Sequence, residues 1–430
     1  MYAEIITIGD ELLIGQVIDT NSAWIAQELN HIGISIRQIT SIADDNEQIL
    51  TTLEEASPRA DIVLITGGLG PTKDDITKNA LCEYFNSTLE FNQEMYEQVE
   101  ILFKNRGLKV TEVNRKQAEI PNNCIPIINK NGTAPGLWFE KNNIIFVSMP
   151  GVPYEMKAMM ENEVLPKLKK VYQLPSIVHK TILTQGIGES YLSAMIREWE
   201  EKLPLNIHLA YLPSPGIVRL RLSGYGEKKK VIEESINIEL DKLKSLIKDY
   251  IFGYDKDTLE EIIGNLLKDK KKNLAVAESC TGGYISHLIT SVPGSSQYFK
   301  GAVIAYDNKI KINDLGVDAN DIELYGAVSA QVVEQMALGI QKKYQSDFSI
   351  STSGIAGPSG GSIEKPVGTV FIAVAGKGRV ISKKFLLGDH RQRNIQKASI
   401  AALNMLRKEI LSATTEHDSA TIAQEGTIQK

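Results

Sequence analysis

Twice in this chain a run of aliphatic residues breaks off into paired glycines and then gives way to helical periodicity. "ADIVLITGG" (60–68) is followed by "PTKDDITKNALCEYF", and "NLAVAESCTGG" (273–283) by apolar residues at Tyr284, Ile285, Leu288 and Ile289. An aliphatic run without alternation is buried on both faces, the signature of a strand inside a parallel sheet. The glycines mark a tight turn at the strand's carboxyl end, and the next segment begins a helix. The expected fold class is α/β: two α/β layered domains with mostly parallel or mixed sheets, joined by a small α+β module.

The rest of the sequence fills in this plan. A chain of 430 residues exceeds what one hydrophobic core usually serves. From 1 to 168, "AEIITIG" and "NIIFVSMPG" read as further strands, "NSAWIAQELNHIG" as a helix capped by Asn21 or Ser22, and "VPYEMKAMMENEVLPKL" as another helix. Over 169–254 the texture changes: "IVHKTILTQG" and "IVRLRLSGYG" alternate at period two beside two helical segments, which predicts the α+β module. The second α/β domain spans 255–413, with a last helix near 392–411, and the polar stretch 414–430 is expected to be a disordered tail.

Composition removes several function classes. A formal net charge of -6 supplies no basic footprint, so nucleic acid is not the expected partner. Cys82, Cys124 and Cys280 are far apart and form no C-x-x-C pair, so neither a disulfide framework nor a zinc site is expected, and a cytoplasmic setting fits. The first residues lack a signal-peptide layout, and no apolar run is long enough to span a bilayer. A homo-oligomer, a dimer by preference, is the default expectation for a soluble chain of this kind.

"ITGGLGPTKDD" (65–75) is the first constellation with chemistry in it. Gly67, Gly68 and Gly70, with Thr72, lie between a buried strand and a helix, where backbone N–H groups can turn toward a phosphate. Asp74 and Asp75 add hard oxygen ligands suited to Mg²⁺ or a similar divalent ion. Asp10, Glu11 and Asp19 follow the first strand and are expected on the same rim.

The second constellation places Ser279, Cys280 and Thr281 side by side at a helix start. The thiol is intrinsically the best nucleophile, but the six histidines offer no patterned base, and His287 lies about two turns away. Ser279 or Thr281 could equally cap the helix. "GAVIAYDNKIK" ends a later strand with Tyr306 and Lys309, both able to converge on the turn if the strands are neighbours. A lysine brought down from about 10.4 to roughly 7–8 by burial or a nearby cation would accept a serine proton.

These stretches resemble a known family. "GDELLIGQVIDTNS", "TGGLGPTKDD" and "MPGVPYEM" are similar to the N-terminal, molybdopterin-binding-like domain of the CinA (competence- and damage-inducible) family. "AESCTGG", "PGSSQYFKGAVIAYDNKIK", "SGIAGPSGG" and "PVGTVFIAV" are similar to its C-terminal domain, a nicotinamide-nucleotide amidase. For the first domain the resemblance implies metal-dependent hydrolysis of ADP-ribose at its pyrophosphate. Its residues would be Gly67, Gly68, Gly70, Asp74 and Asp75, with Glu11, Asp19 and Glu155 further out. For the second it implies deamidation of nicotinamide mononucleotide without a cofactor, with Ser279 as nucleophile, Lys309 as base and Tyr306 as helper. Backbone N–H groups near 280–283 (Thr281, Gly282, Gly283) would hold the oxyanion, and Glu278 would fix the lysine or the leaving amine.

The substrate's phosphate and ribose would meet the loop "STSGIAGPSGG" through Ser353, Gly354 and Gly357. Arg391 or Arg393 of "GDHRQRN" would supply a guanidinium fork. His390 interrupts the simpler Gly-Asp-Arg pattern, so the sequence does not choose between the two arginines. The rival expectations are a DNA-uptake accessory, which the charge balance disfavours, and a pterin-binding protein with a vestigial C-terminal domain.

Overall fold

The computed structural model describes residues 1–72, 76–172, 174–376 and 378–425, with 413–425 described as backbone alone. Two compact units make up the chain: Met1–Val178 with Gly224–Glu234, and His179–Ser223 with Ser235–Lys430.

The first unit is built on a six-stranded mixed sheet in the order Ser35–Ile42, Tyr2–Ile8, Ile62–Thr66, Ile144–Met149, Gly136–Lys141, Ile125–Ile127. The first four strands run parallel and the last two antiparallel. Period-two alternation sorts the central strands onto two cores. Ile6, Ile8, Val63 and Ile65 pack on one face, while Ala3, Ile5, Ile62 and Leu64 pack on the other. Both faces are therefore dry, as the uninterrupted aliphatic runs require. The helix expected to be capped by Asn21 or Ser22 is capped by Asp19 instead, which accepts hydrogen bonds from the Ser22 N–H and hydroxyl, and it starts at Thr20. The helix after the glycine turn is confined to Thr77–Tyr84.

Strands Ile207–Ser214, Ile217–Gly226, Ser176–Gln185 and Ile251–Tyr254 form the four-stranded sheet of the middle module. Leu183 and Phe252 of this sheet are buried in the same core cluster as Leu259, Ile263, Ala402 and Leu406. Within the second unit the module is thus packed against the helices Leu259–Asp269 and Arg391–Glu425.

That unit's larger sheet has the order Phe299–Ile304, Leu274–Glu278, Phe348–Gly354, Thr369–Gly376, Arg379–Leu386. The first three are parallel and the last two antiparallel. Leu274 and Val276 face one core, and Ala275 and Ala277 the other. The chain leaves Leu274–Glu278 to form a strand on one side, then returns to form one on the other. The carboxyl end of Leu274–Glu278 is therefore a topological switch point, where α/β sheets open a crevice. The last helix runs from Arg391 to Glu425, beyond the 392–411 that the pattern indicates. No helix among the described residues is long and apolar enough to cross a membrane.

Candidate active site at two sheet rims

At the switch point three strand ends come level. Glu278 is paired with Ile304 and Thr352 in register, the Ala305 N–H donates to the Glu278 carbonyl (2.7 Å), and the Ser279 N–H donates to the Thr352 carbonyl (3.0 Å). Ser279, Ala305 and Ser353 are thus level, with Tyr306 one residue further on. The turn that follows is tight: Gly282 and Gly283 are left-handed, and the Gly282 N–H closes onto the Ser279 carbonyl at 3.1 Å.

Cys280 falls on the inside of this turn, in the hydrophobic core. Burial pushes its thiol up to about 12, so it is held protonated and packs as a small apolar group. Thr281 is also buried, with its hydroxyl 2.7 Å from that of Thr352. Ser279 is itself buried, but among the described residues its hydroxyl makes no hydrogen bond, which leaves it the uncommitted nucleophile candidate of the three.

Glu278 does not have the role expected from the sequence. Its fully buried carboxylate accepts from the Gly283 N–H (3.0 Å), the Ile285 N–H (3.1 Å), and both the N–H (2.9 Å) and the hydroxyl (2.6 Å) of Ser286. A carboxylate has about four acceptor positions, so all are used in capping the helix Tyr284–Thr290. It is a fixed support for the turn and does not orient a lysine or a leaving amine. The expected oxyanion donors need a similar correction. The Gly283 N–H is given to Glu278 and the Gly282 N–H to Ser279, leaving those of Cys280 and Thr281 uncommitted among the described residues.

The lysine also changes. "DNKIK" is the start of a helix, Asn308–Leu315, capped by Asp307, which accepts from the Lys309 N–H at 2.7 Å. Residues two apart on a helix face opposite ways. Lys309 is accordingly exposed, whereas Lys311 shares the buried face with Leu315. Lys311 is only 2% exposed, and its ammonium donates to the Tyr306 carbonyl at 3.2 Å. Burial lowers its pKa, partly offset by the Asp307 carboxylate and by Cys280. The cap at Asp307 followed by Lys311 and Leu315 at i, i+4 spacing is the signal that would have found it.

Tyr306 is 60% exposed, and its phenol oxygen accepts from Arg391 at 3.0 Å. The same guanidinium donates to the Gly357 carbonyl at 2.9 Å, so one arginine ties the tyrosine to the glycine-rich loop. Among the described residues the Arg393 guanidinium makes no hydrogen bond, and its backbone N–H reaches His390 Nδ1 at 3.4 Å. Asn394, invisible as a site residue in the sequence, is buried and donates to the Ala356 (3.0 Å) and Gly388 (2.9 Å) carbonyls, pinning the loop from the other side. Gly354 has no room for a side chain: a Cβ would lie 2.7 Å from Val370 and 3.0 Å from Cys280 Sγ. The Ser353 hydroxyl is turned away to the Ala327 carbonyl (2.6 Å).

The rim of the first unit is a cleft of about 450 Å³ lined by Gly67, Gly68, Gly70, Glu11, Asp44 and Glu155, among others. Gly67 is obligatory, since a Cβ would lie 2.0 Å from the Ile8 carbonyl oxygen and φ is +119°. Thr72 is exposed. Asp44 was not foreseen, because it lies on a loop with no glycine signature. Asp19 is used in capping its helix, and Glu155 accepts from Asn129 at 2.6 Å. Asp74 and Asp75 lie outside the described residues. No group of three Asp, Glu, His or Cys converges among the described residues to hold a metal ion. These donors do not by themselves form a metal site.

Fold and rims together define a three-part α/β chain, with a glycine turn at the carboxyl rim of each large sheet. Family models agree with each part: "Probable molybdopterin binding domain" over residues 4–170, "Damage-inducible protein CinA KH domain" over 179–253, and "CinA C-terminal domain" over 256–410. A CinA-like protein of Flavobacterium psychrophilum is 50% identical over 413 residues, covering 96% of this chain and 99% of its own. One from Cytophaga hutchinsonii is 47% identical, covering 95% and 98%. Among solved structures, the competence/damage inducible protein CihA from Agrobacterium tumefaciens is 35% identical, covering 35% of this chain and 94% of that one, with a TM-score of 0.34. The chain belongs to the CinA family.

Proposed function

We propose that the second unit is a serine amidase that converts nicotinamide mononucleotide to nicotinate mononucleotide and ammonia. The observation that carries this reading is Lys311: a buried amine of lowered pKa, held by the Tyr306 carbonyl just past the strand that pairs with the one leading into Ser279. Such an amine is the activator a serine needs where no histidine is placed to help.

Ser279 Oγ adds to the carboxamide carbon as its proton passes to Lys311. The oxyanion is met by the Cys280 and Thr281 N–H groups. On collapse Lys311 returns the proton to the departing nitrogen, ammonia leaves, and the C–N bond is replaced by an ester to Ser279. Water then adds, with Lys311 again as base, and releases the carboxylate product. Arg391, set by Gly357 and Tyr306, is the phosphate partner favoured over Arg393, which has no such scaffold. The test is ammonia release from nicotinamide mononucleotide by the full chain and by its Ser279→Ala variant. Equal rates in the two would overturn the reading.

A second activity is proposed for the first unit, supported by its glycine-lined cleft: binding of ADP-ribose and cleavage of its pyrophosphate with a divalent ion. Turnover that depends on added Mg²⁺ and is lost in an Asp74→Ala, Asp75→Ala double variant would bear this out. Tight pterin binding without turnover would replace it.

A further inference from the structure

Within the second unit a cavity of about 1020 Å³ is lined by none of the residues of the 279–283 turn. Its floor is Ile381, Lys383 and Phe385, alternate residues of the edge strand Arg379–Leu386, three places along the sheet from Leu274–Glu278. One wall is a stripe of the last helix, Lys397, Ala401, Met405 and Lys408, at i, i+4, i+8 and i+11. The opposite wall is the module's turn Gly186–Glu189 and the hairpin at Gly216–Ile217.

Two features define what this space would accept. The first is charge: Lys383, Lys397 and Lys408 face a single acidic residue, Glu189. Lys383 sits 5.4 Å above the Phe385 ring, and Lys397 gives one donor to the Leu387 carbonyl at 3.0 Å, which leaves donors on each for an anion. Lys408 is exposed at the far end of the stripe, about 16 Å from Lys397 by helical rise. The second is the wall itself, with Ile187, Ile217, Met405, Tyr250 and Phe385 offering apolar and aromatic surface for a flat ring.

The turn also speaks to the kind of ligand. A module of the KH type clamps the backbone of a nucleic-acid strand with a Gly-x-x-Gly loop. Here the sequence is Gly186-Ile187-Gly188-Glu189, an acidic residue stands in the fourth place, and the turn lines a bounded cavity. We infer that this cavity binds a phosphorylated small molecule bearing a planar ring, a ligand of nucleotide class, and that the module serves the second unit as a nucleotide-binding wall and not as a strand clamp.

The test uses the full chain, with adenosine 5′-monophosphate as ligand in equilibrium dialysis and its 2-azido derivative as photolabel. Label is expected in peptides carrying Gly186–Glu189 or Ile381–Leu387. Lys383→Glu and Lys408→Glu should each weaken that binding at least tenfold while leaving ammonia release from nicotinamide mononucleotide unchanged. Because the readout is binding, it does not depend on the amidase reading. Label confined to the 67–70 or 279–283 turns would overturn the proposal. So would binding untouched by both substitutions, or saturable binding of a single-stranded oligonucleotide with none of the mononucleotide.

Discussion

The two glycine turns start from the same plan and finish in different chemistry. Each follows a doubly buried strand at the carboxyl rim of a sheet. In the first unit the turn opens onto a cleft with Glu11 and Asp44 in its lining, and the Gly67 N–H is given to the Met149 carbonyl. In the second unit the acid is withdrawn from the solvent altogether. Glu278 is used up holding the helix start, and Lys311 is buried with its amine on the Tyr306 carbonyl. The comparison teaches that a glycine turn marks a place for a ligand, whereas reactivity is decided by which titratable group the neighbouring elements bury beside it.

The largest effect should come from the nucleophile. Ser279→Ala is expected to lower ammonia release at least about 10³-fold, with Cys280→Ala staying within a few-fold of the unmodified rate. The reverse outcome in a steady-state assay would transfer the chemistry to the thiol.

Next comes the choice between lysines. Lys311→Met should cost about 10²–10⁴-fold in kcat, while Lys309→Ala leaves kcat nearly unchanged. As a base Lys311 works in its neutral form, so turnover should climb as pH rises through its lowered pKa, below the ordinary 10.5. The stability effect has a definite sign. The unfolded chain holds this proton more tightly than the folded one, so stability rises with pH between the lowered value and 10.5, and the cost of burial is fully present below that window. Lys311→Met should therefore lose activity while its Tm at pH 7 stays at or above that of the unmodified protein. A clear drop in Tm would mean that the lysine is a structural anchor and not a stored base.

A third prediction concerns the two arginines. Arg391→Ala should raise KM for nicotinamide mononucleotide by about 10–100-fold, the loss of one or two charge-assisted hydrogen bonds, and Arg393→Ala by less than about twofold. Equal effects from the two would show that the Gly357–Tyr306 scaffold does not select the phosphate partner.

The mildest effect on the amidase should come from the other rim. Gly67→Ala forces a Cβ onto the Ile8 carbonyl at a left-handed backbone and should lower stability by about 1–3 kcal/mol. Thermal unfolding would check this, and ADP-ribose binding should fall while ammonia release per folded molecule holds.

Much of this architecture was written into local pattern. The aliphatic runs at 62–66 and 274–278 needed only their composition to declare two-faced burial, and the glycines after them needed only their spacing to declare turns. Lys311 was hidden for a reason of period. Read as the end of a strand, "DNKIK" offers Lys309; read as a capped helix, it turns Lys309 out and Lys311 in. Glu278 was hidden because a carboxylate beside a helix start has two uses, and the choice depends on whether backbone donors or a lysine reach it first.

By itself, then, the sequence determined the α/β class, the two rims and the presence of a serine turn, because these follow from periodicity and turn chemistry acting over a few residues. The tertiary structure decided which lysine is buried, which arginine is braced and which N–H groups of the turn are taken up by Glu278 and Ser279. Those depend on how three strands from distant parts of the chain come level at one edge. That registry is fixed by packing and long-range pairing, which no short stretch of sequence contains.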